Sequence, residues 1–311
     1  MRDPIPATLI YNADAGSSGR LRPPDLFKLF RQVQVQLNHR KTERAEDIPG
    51  VLPENGDPVV VMGGDGTVRA VIQALRGRPN PLVILPGGSA NNIARSFGLM
   101  KRPIPEIIQG LGDPVRRAID LGRIRFPWGE SAIFVEGVGF GLFADMMATY
   151  DPTQGKSLSR GLQTLVDEIG KQADYRTRIR VDEEEFEAHF RLVEVLNTPA
   201  VGPRLAFQPE ARMTNGKFGV VVADDTIKPG TAIPALIARK FAQLDSVRTL
   251  FGQEIDVEWT DFAVHVDETI YPNQQLRAEM RQAPPKDRTI QIRVLHEAIN
   301  LWLPNLSEDH A

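Results

Sequence analysis

One pattern constrains this chain more than any other. An apolar run too short for a helix ends in glycines, and a helical repeat follows at once. Val59–Met62 is continuous and β-branched, as a strand buried on both faces would be. Gly63-Gly64-Asp65-Gly66 comes next, and then Val68, Val71, Ile72 and Leu75 recur at the spacing of one helix face. Between the two the chain must turn sharply, and glycine reaches the required backbone angles without steric cost. Asp65 then lies at the mouth of a strand-to-helix crevice, where open α/β sheets bind ligands.

The same unit recurs on both sides. Ala7–Asn12 reads as a strand, with the small-residue turn Ala13–Arg20 after it. A helix starts at Pro23-Pro24, where proline suits a first turn. Val33–Asn38 alternates as a half-buried strand and leads to a short acidic helix. Pro81–Pro86 is another buried strand, followed by Gly87-Gly88-Ser89-Ala90-Asn91-Asn92 and a short helix that Gly98 closes. Strands alternating with helices predict an α/β N-terminal domain with a parallel, doubly wound sheet.

Near Asp120 the texture changes. Segments 117–126, 131–141, 177–199, 204–209, 217–224, 254–268 and 289–296 are strand-like and rich in β-branched residues. Helical stretches are expected at Leu158–Gln172, whose Leu158, Leu162, Leu165, Val166 and Ile169 form a stripe, and at Thr231–Leu244. The predicted organisation is a nucleotide-binding domain over 1–120, rejoined by a tail at about 296–311, and a β-rich, β-sandwich-like acceptor domain over 121–295.

Bulk properties narrow the function. The 311 residues are 41% hydrophobic and 25% charged with a net charge of −3, so no nucleic-acid partner is expected. Residues 1–120 hold 16 Lys+Arg against 12 Asp+Glu, a net of +4 in the half that carries the glycine turns, which suits a polyphosphate ligand. There is no cysteine, which removes disulfides, zinc–thiolate sites and cysteine nucleophiles. The N-terminal stretch lacks the apolar core of a signal peptide, and no run approaches the roughly 20 apolar residues of a membrane span. The expectation is a cytoplasmic protein that meets lipid only from the surface, at the inner face of the membrane.

Backbone N–H groups in glycine turns, aimed by a helix N-terminus, bind phosphate. Three such turns follow three strands here: Asn12–Gly19, Gly63–Thr67 and Gly87–Asn92. A P-loop ending in Gly-Lys-Ser/Thr and a Gly-x-Gly-x-x-Gly fingerprint are both absent. What remains is a site where Asp65 faces phosphates, so a cation must lie between them. Mg²⁺ fits, since it binds through one or two carboxylates plus substrate phosphates. The implied chemistry is phosphoryl transfer.

The order of Tyr11-Asn12 with Gly16, then GGDGTV, then LPGGSANNIARSFGL resembles the diacylglycerol kinase catalytic-domain family, which includes soluble bacterial lipid kinases and sphingosine and ceramide kinases. The family shares its fold with NAD kinases, whose TGSTAY-like segment is missing here. The likeness continues through AIDLGRI, GVGFGLFAD, FQPEARMTNGKFGVVV and HVDETIYP, nearly to the end of the chain. It implies ATP and Mg as cofactors and a lipid alcohol as acceptor, with a homodimer compatible.

Residue by residue, the resemblance implies nucleotide contacts at Asn12, Ala13, Asp14, Ala15, Gly16 and Thr42, and phosphate contacts at Gly63, Gly64, Asp65, Gly66, Thr67, Gly88 and Ser89. Asn92 stands where the family has an aspartate, leaving an uncharged oxygen for catalytic Mg²⁺ beside Asp65. Arg69 replaces part of an Asn-Glu pair and is offered as a phosphate contact. The proton-accepting VDGE motif reads Val266-Asp267-Glu268-Thr269, without its glycine. Asp145 matches the region where sphingosine kinases hold the lipid head. The family's structural metal loop falls on Arg212–Phe218, where both aspartates are lost and only Arg212, Asn215 and Lys217 remain as doubtful ligands, with Lys217 offered as a substitute charge. Two other readings stay open: a kinase-fold protein that binds nucleotide or lipid without turnover, and an NAD kinase-like enzyme acting on a soluble alcohol.

Overall fold

The computed structural model describes residues 3–12, 21–42, 44–149, 175–283 and 285–305. Ala13–Gly16 and the helix expected at Leu158–Gln172 lie outside them. The chain divides into two compact units: Met1–Asp120 with His296–Ala311, and Leu121–Leu295.

In the first unit strands and helices alternate as the glycine-turn pattern dictates. The order is β1 (Ile5–Tyr11), α1 (Pro23–Gln32), β2 (Val35–His39), a 3-10 turn (Ala45–Asp47), α2 (Ile48–Val51), β3 (Val59–Gly63), α3 (Asp65–Leu75), β4 (Leu82–Pro86), α4 (Asn92–Ser96) and α5 (Ile104–Gly110). The strands pair in parallel as β2-β1-β3-β4. Leu301, near the end of the long β16 (Thr289–Leu303), pairs in parallel with Leu82. β3 is buried at every position, as its unbroken apolar run requires. The buried face of α3 is Val68, Val71, Ile72 and Leu75, the stripe read from the sequence, joined by Arg69. β2 begins two residues later than its alternation suggested. Val33 closes α1 through its N–H to Phe30, and Gln34 takes a left-handed φ of 56°. The sequence reading missed α5.

The second unit is a β-sandwich. It contains β5 (Val115–Arg125, which starts in the first unit), β6 (Ser131–Phe134), β7 (Gly137–Gly141), α6 (Leu142–Thr149), β8 (Tyr175–Val181), β9 (Glu184–Phe190) and β10 (Leu192–Leu196). β11 (Phe218–Ala223), α7 (Pro229–Ile237), β12 (Val247–Gly252), β13 (Glu254–Glu258), β14 (Val264–Val266), β15 (Thr269–Tyr271) and α8 (Gln274–Gln282) follow. One antiparallel sheet runs β12-β11-β10-β7-β14-β15. The N-terminal part of β16 pairs with β13, which pairs with β8 and so β9; β5 pairs with β6. A core of alternate residues from both layers fills the space between, with Phe140, Val195, Val220 and Val264 from one side and Ile124, Phe190, Ile255 and Ile292 from the other. On the outer face of the six-stranded sheet, α6 and α7 cover a second apolar cluster that includes Phe143, Leu196, Phe207 and Leu236.

Three expectations here need correcting. Residues 204–209 form no strand; Val201 and Leu205 make an isolated bridge in a loop where Gly202 and Arg204 both have positive φ. The helix expected to reach Leu244 stops at Ile237, because Arg239 turns left-handed (φ 58°), and only a 3-10 turn follows at Phe241–Gln243. Segment 177–199 breaks into three strands, at the positive-φ Asp182 and at Arg191.

Candidate active site

Asn12 and the glycine turns that follow β3 and β4 are bound to one another at the carboxyl ends of β1, β3 and β4. Asn12 leaves β1 and donates from Nδ2 to the Thr67 hydroxyl at 2.8 Å. Asp65 opens α3, and its Oδ1 accepts the Ile93 N–H at 3.0 Å, which joins the second turn to the third. Inside the third turn Asn91 (φ 53°) brackets Gly88. Its Oδ1 accepts the Gly88 N–H at 2.8 Å and its Nδ2 donates to the Gly88 carbonyl at 2.7 Å.

The glycines have a different reason from the one expected. Neither Gly63 nor Gly64 has a positive φ. They are small because neighbours come close: a Cβ on Gly88 would fall 2.4 Å from the Gly64 Cα, backbone on backbone, and one on Gly63 would fall 2.7 Å from the Thr67 side chain. The result is a surface of bare peptide at the start of an 11-residue helix, with Asp65 half-exposed beside it. Such a surface suits phosphate oxygens, and a lone carboxylate next to it suits a phosphate-bound Mg²⁺. The residues present therefore fit Mg-ATP. Ser89 is exposed on the third turn, and Asn92, at the first position of α4, is buried. Thr42 is half-exposed in the loop after β2. Arg69 is 8% exposed, so it is not the solvated arginine its place in a first helical turn suggests.

In the second unit, Asp267 and Glu268 form the two-residue turn between β14 and β15. Asp267 takes a left-handed φ of 50°. Its carboxylate accepts three backbone N–H groups, from Val135 at 2.9 Å, Glu136 at 2.8 Å and Gly137 at 3.2 Å. The same turn of chain is held from β10: Asn197 Nδ2 donates to the Val135 carbonyl, and the Asn197 N–H and Thr198 N–H both donate to the Glu136 carbonyl. Asp267 thus anchors the loop before β7, and Glu268 is exposed beside it. Asp145, in the first turn of α6, accepts the Tyr175 hydroxyl at 2.6 Å.

The loop at Arg212–Phe218 does not fit a metal. The Arg212 guanidinium itself donates to the carbonyls of Pro209 and Ala211, both at 2.8 Å, and Asn215 Oδ1 accepts the Lys217 N–H. Arg212 thus puts a positive charge at the carbonyls of Pro209 and Ala211.

Sequence reasoning passed over four buried ionisable residues. Asp120 accepts the Glu297 N–H at 3.0 Å, with His296 Nδ1 3.6 Å away. Glu136 is buried in the loop that Asp267 holds. Glu194 and His265 face each other in the second unit, 3.0 Å apart. The available signal was a single ionisable residue inside an apolar, β-branched run, as in Leu192-Val193-Glu194-Val195-Leu196 and Val264-His265-Val266.

Comparison with known proteins bears on the two halves of the chain. Residues 6–124 match the diacylglycerol kinase catalytic domain, and residues 148–284 match the YegS C-terminal NAD kinase beta sandwich-like domain. A diacylglycerol kinase of Mycobacterium tuberculosis is 28% identical over 250 residues, covering 75% of this chain and 80% of its own. The Bacillus subtilis diacylglycerol kinase is 24% identical over 227 residues, covering 70% and 73%. A diacylglycerol kinase structure from Bacillus anthracis superposes with a TM-score of 0.64 over 97% of both chains at 19% identity, which is a likeness of fold.

Proposed function

Because this chain belongs to the diacylglycerol kinase family of phosphotransferases, we propose that it is an ATP- and Mg²⁺-dependent lipid kinase that moves the γ-phosphoryl group to a hydroxyl of diacylglycerol or a related lipid. The observation that carries the reading is the set of glycine turns tied together around Asp65. Bound Mg-ATP would supply the transferable phosphoryl group and the charge that neutralises it. The chain's own part is positioning. Peptide N–H groups of the Gly63–Thr67 and Gly88–Asn92 turns hold phosphate oxygens, Asp65 and the amide oxygen of Asn92 hold the cation, and Asn12 and Thr42 border the nucleotide. Glu268 accepts the proton of the acceptor hydroxyl, and Asp267 fixes the turn that presents it. Asp145 is the candidate contact for the lipid head. Among the described residues no helix is long and apolar enough to cross a bilayer, so in this reading the lipid is met at the membrane surface.

The test is transfer of label from γ-labelled ATP to a lipid panel that includes diacylglycerol, with and without chelator. Asp65→Asn is the control of choice, because it keeps an oxygen for the Ile93 N–H while removing the charge. Product that needs Mg²⁺ and drops on the order of a hundredfold in the variant is the expected result. Nucleotide binding with no product would favour the reading without turnover, to which the uncharged Asn92 lends support. Product on NAD or a sugar alone would favour a soluble acceptor.

A further inference from the structure

The outer face of the six-stranded sheet holds one ionisable pair in an otherwise apolar setting. Glu194 and His265 are 0% and 1% exposed, and His265 Nε2 lies 3.0 and 3.1 Å from the two carboxylate oxygens. The Phe143 ring meets the imidazole edge-on at 5.0 Å, and His265 Nδ1 is buried without a hydrogen-bond partner.

The two residues are not on neighbouring strands. Glu194 of β10 lies opposite Gly139 of β7, and Gly139 lies opposite His265 of β14. The pair reaches across an intervening strand because nothing stands between. A Cβ on Gly139 would sit 2.4 Å from Glu194 Oε1 and 2.5 Å from His265 Nε2.

β7 reads Gly137-Val138-Gly139-Phe140-Gly141, so its side toward α6 carries glycine at every position. Register is weakly specified on a glycine-rich strand, which offers no side chains to interlock. β14 is only three residues long and has valine on both sides of His265. A slip of one residue would carry His265 to the other face. A slip of two keeps its face and would place His265 opposite Gly137 or Gly141. Their partners on β10 are the buried Leu196 and Leu192, which offer no acceptor. Only the observed register gives the imidazole a carboxylate.

Stability does not account for such a pair, since replacing a buried ion pair with apolar residues is often neutral or favourable, whereas fixing register is its best-attested use. Two residues beyond His265, the Asp267 carboxylate takes three N–H groups from Val135–Gly137, and its own N–H donates to the Gly137 carbonyl at 2.9 Å. A two-residue slip would carry this turn about 7 Å along the sheet.

We propose that Glu194 and His265 are positioning residues: across the bare middle of β7 they lock the register of β14 and so place the Asp267–Glu268 turn. The catalytic consequence rests on the reading of Glu268 as proton acceptor; the register itself does not.

The test uses the full chain with Glu194→Leu and His265→Leu combined, and separately Gly139→Ala, which wedges the pair apart while keeping both residues. In the double variant the melting temperature should hold or rise. The amides of Val135–Gly137 should lose protection from hydrogen exchange. The kcat should fall on the order of a hundredfold, as misplacement of a reacting group does, with the KM for ATP unchanged. Gly139→Ala should show the same loss of protection and of kcat; if it does not fold, the double variant decides. A double variant that keeps amide protection and kcat, whatever its melting temperature, would overturn the proposal. If the parent phosphorylates no lipid, the kinase reading falls, and the exchange result alone decides the register.

Discussion

Single residues carry the candidate site through backbone more than through side chains. Gly88→Ala sets a Cβ 2.4 Å from the Gly64 Cα, and neither backbone can swing aside. It should cost about 1–3 kcal/mol in urea unfolding, as overpacking does, and weaken nucleotide binding in the same preparation. At Asp267 the charge answers three N–H donors. Asp267→Asn exchanges one accepting oxygen for a donating NH₂ and leaves at least one donor unmet. A loss of about 1–3 kcal/mol is expected, readable as a lower denaturation midpoint, together with a fall in kcat. The sharp strand-to-helix turn at Gly63–Gly66, with its lone acid, was legible in the sequence. The reason for the glycines was not, because close approach between residues 64 and 88 is a property of the folded pair of turns, whereas a backbone angle is local. His265 shows the same limit: its neighbour Glu194 is 71 residues away in sequence.

At the scale of elements, patterning served where one period ran unbroken. β3 and β4 follow it to within a residue, while α3 starts earlier than read, at Asp65 inside the glycine run. It failed where one residue ends an element against the pattern, as the left-handed Gln34 and Arg239 do. α8 was missed altogether: its residues are mostly polar, with Met280 and Leu276 alone packing on the core, and two arginines add an electrostatic tie. Arg277 and Arg281 donate to the Asp261 carboxylate at 2.9 and 2.7 Å. Burial pushes that carboxyl up, but the hydrogen bonds and charges of the two arginines outweigh it and hold it below the usual carboxylate range. A depressed value stabilises the fold above the unfolded carboxyl's pKa of about 3.9, and this contribution drains away as pH falls through the lower folded value. The group is partly solvated, so Asp261→Asn should cost up to about 1 kcal/mol near neutral pH. Parallel urea titrations should show the gap between variant and parent closing as pH drops below 4.

For the molecule as a whole, the contact grouping alters one inference drawn from composition. The net +4 of residues 1–120 is offset by Glu297, Glu308 and Asp309 in the returning segment, with no Lys or Arg there, leaving +1 for the unit. In the proposed reading, overall charge therefore adds little to the attraction of phosphate. The returning segment also supplies packing: Ile299 and Leu301 are buried, and Leu301 pairs with β4. A chain cut after Leu295 loses both side chains and a strand partner. Burial of two such side chains is worth about 3–6 kcal/mol, a large share of what holds an ordinary domain. Limited proteolysis of the shortened chain should release the first unit's segments first, while the β-sandwich stays resistant.

That discontinuity sets an order for synthesis. The β-rich unit is contiguous apart from the start of β5, so a growing chain holds all of it by residue 295. The glycine turns at Asn12, Asp65 and Gly88 emerge early, yet the sheet they crown waits for Leu301. On the ribosome the strands translated first gain their last neighbour only after the β-rich unit is in hand.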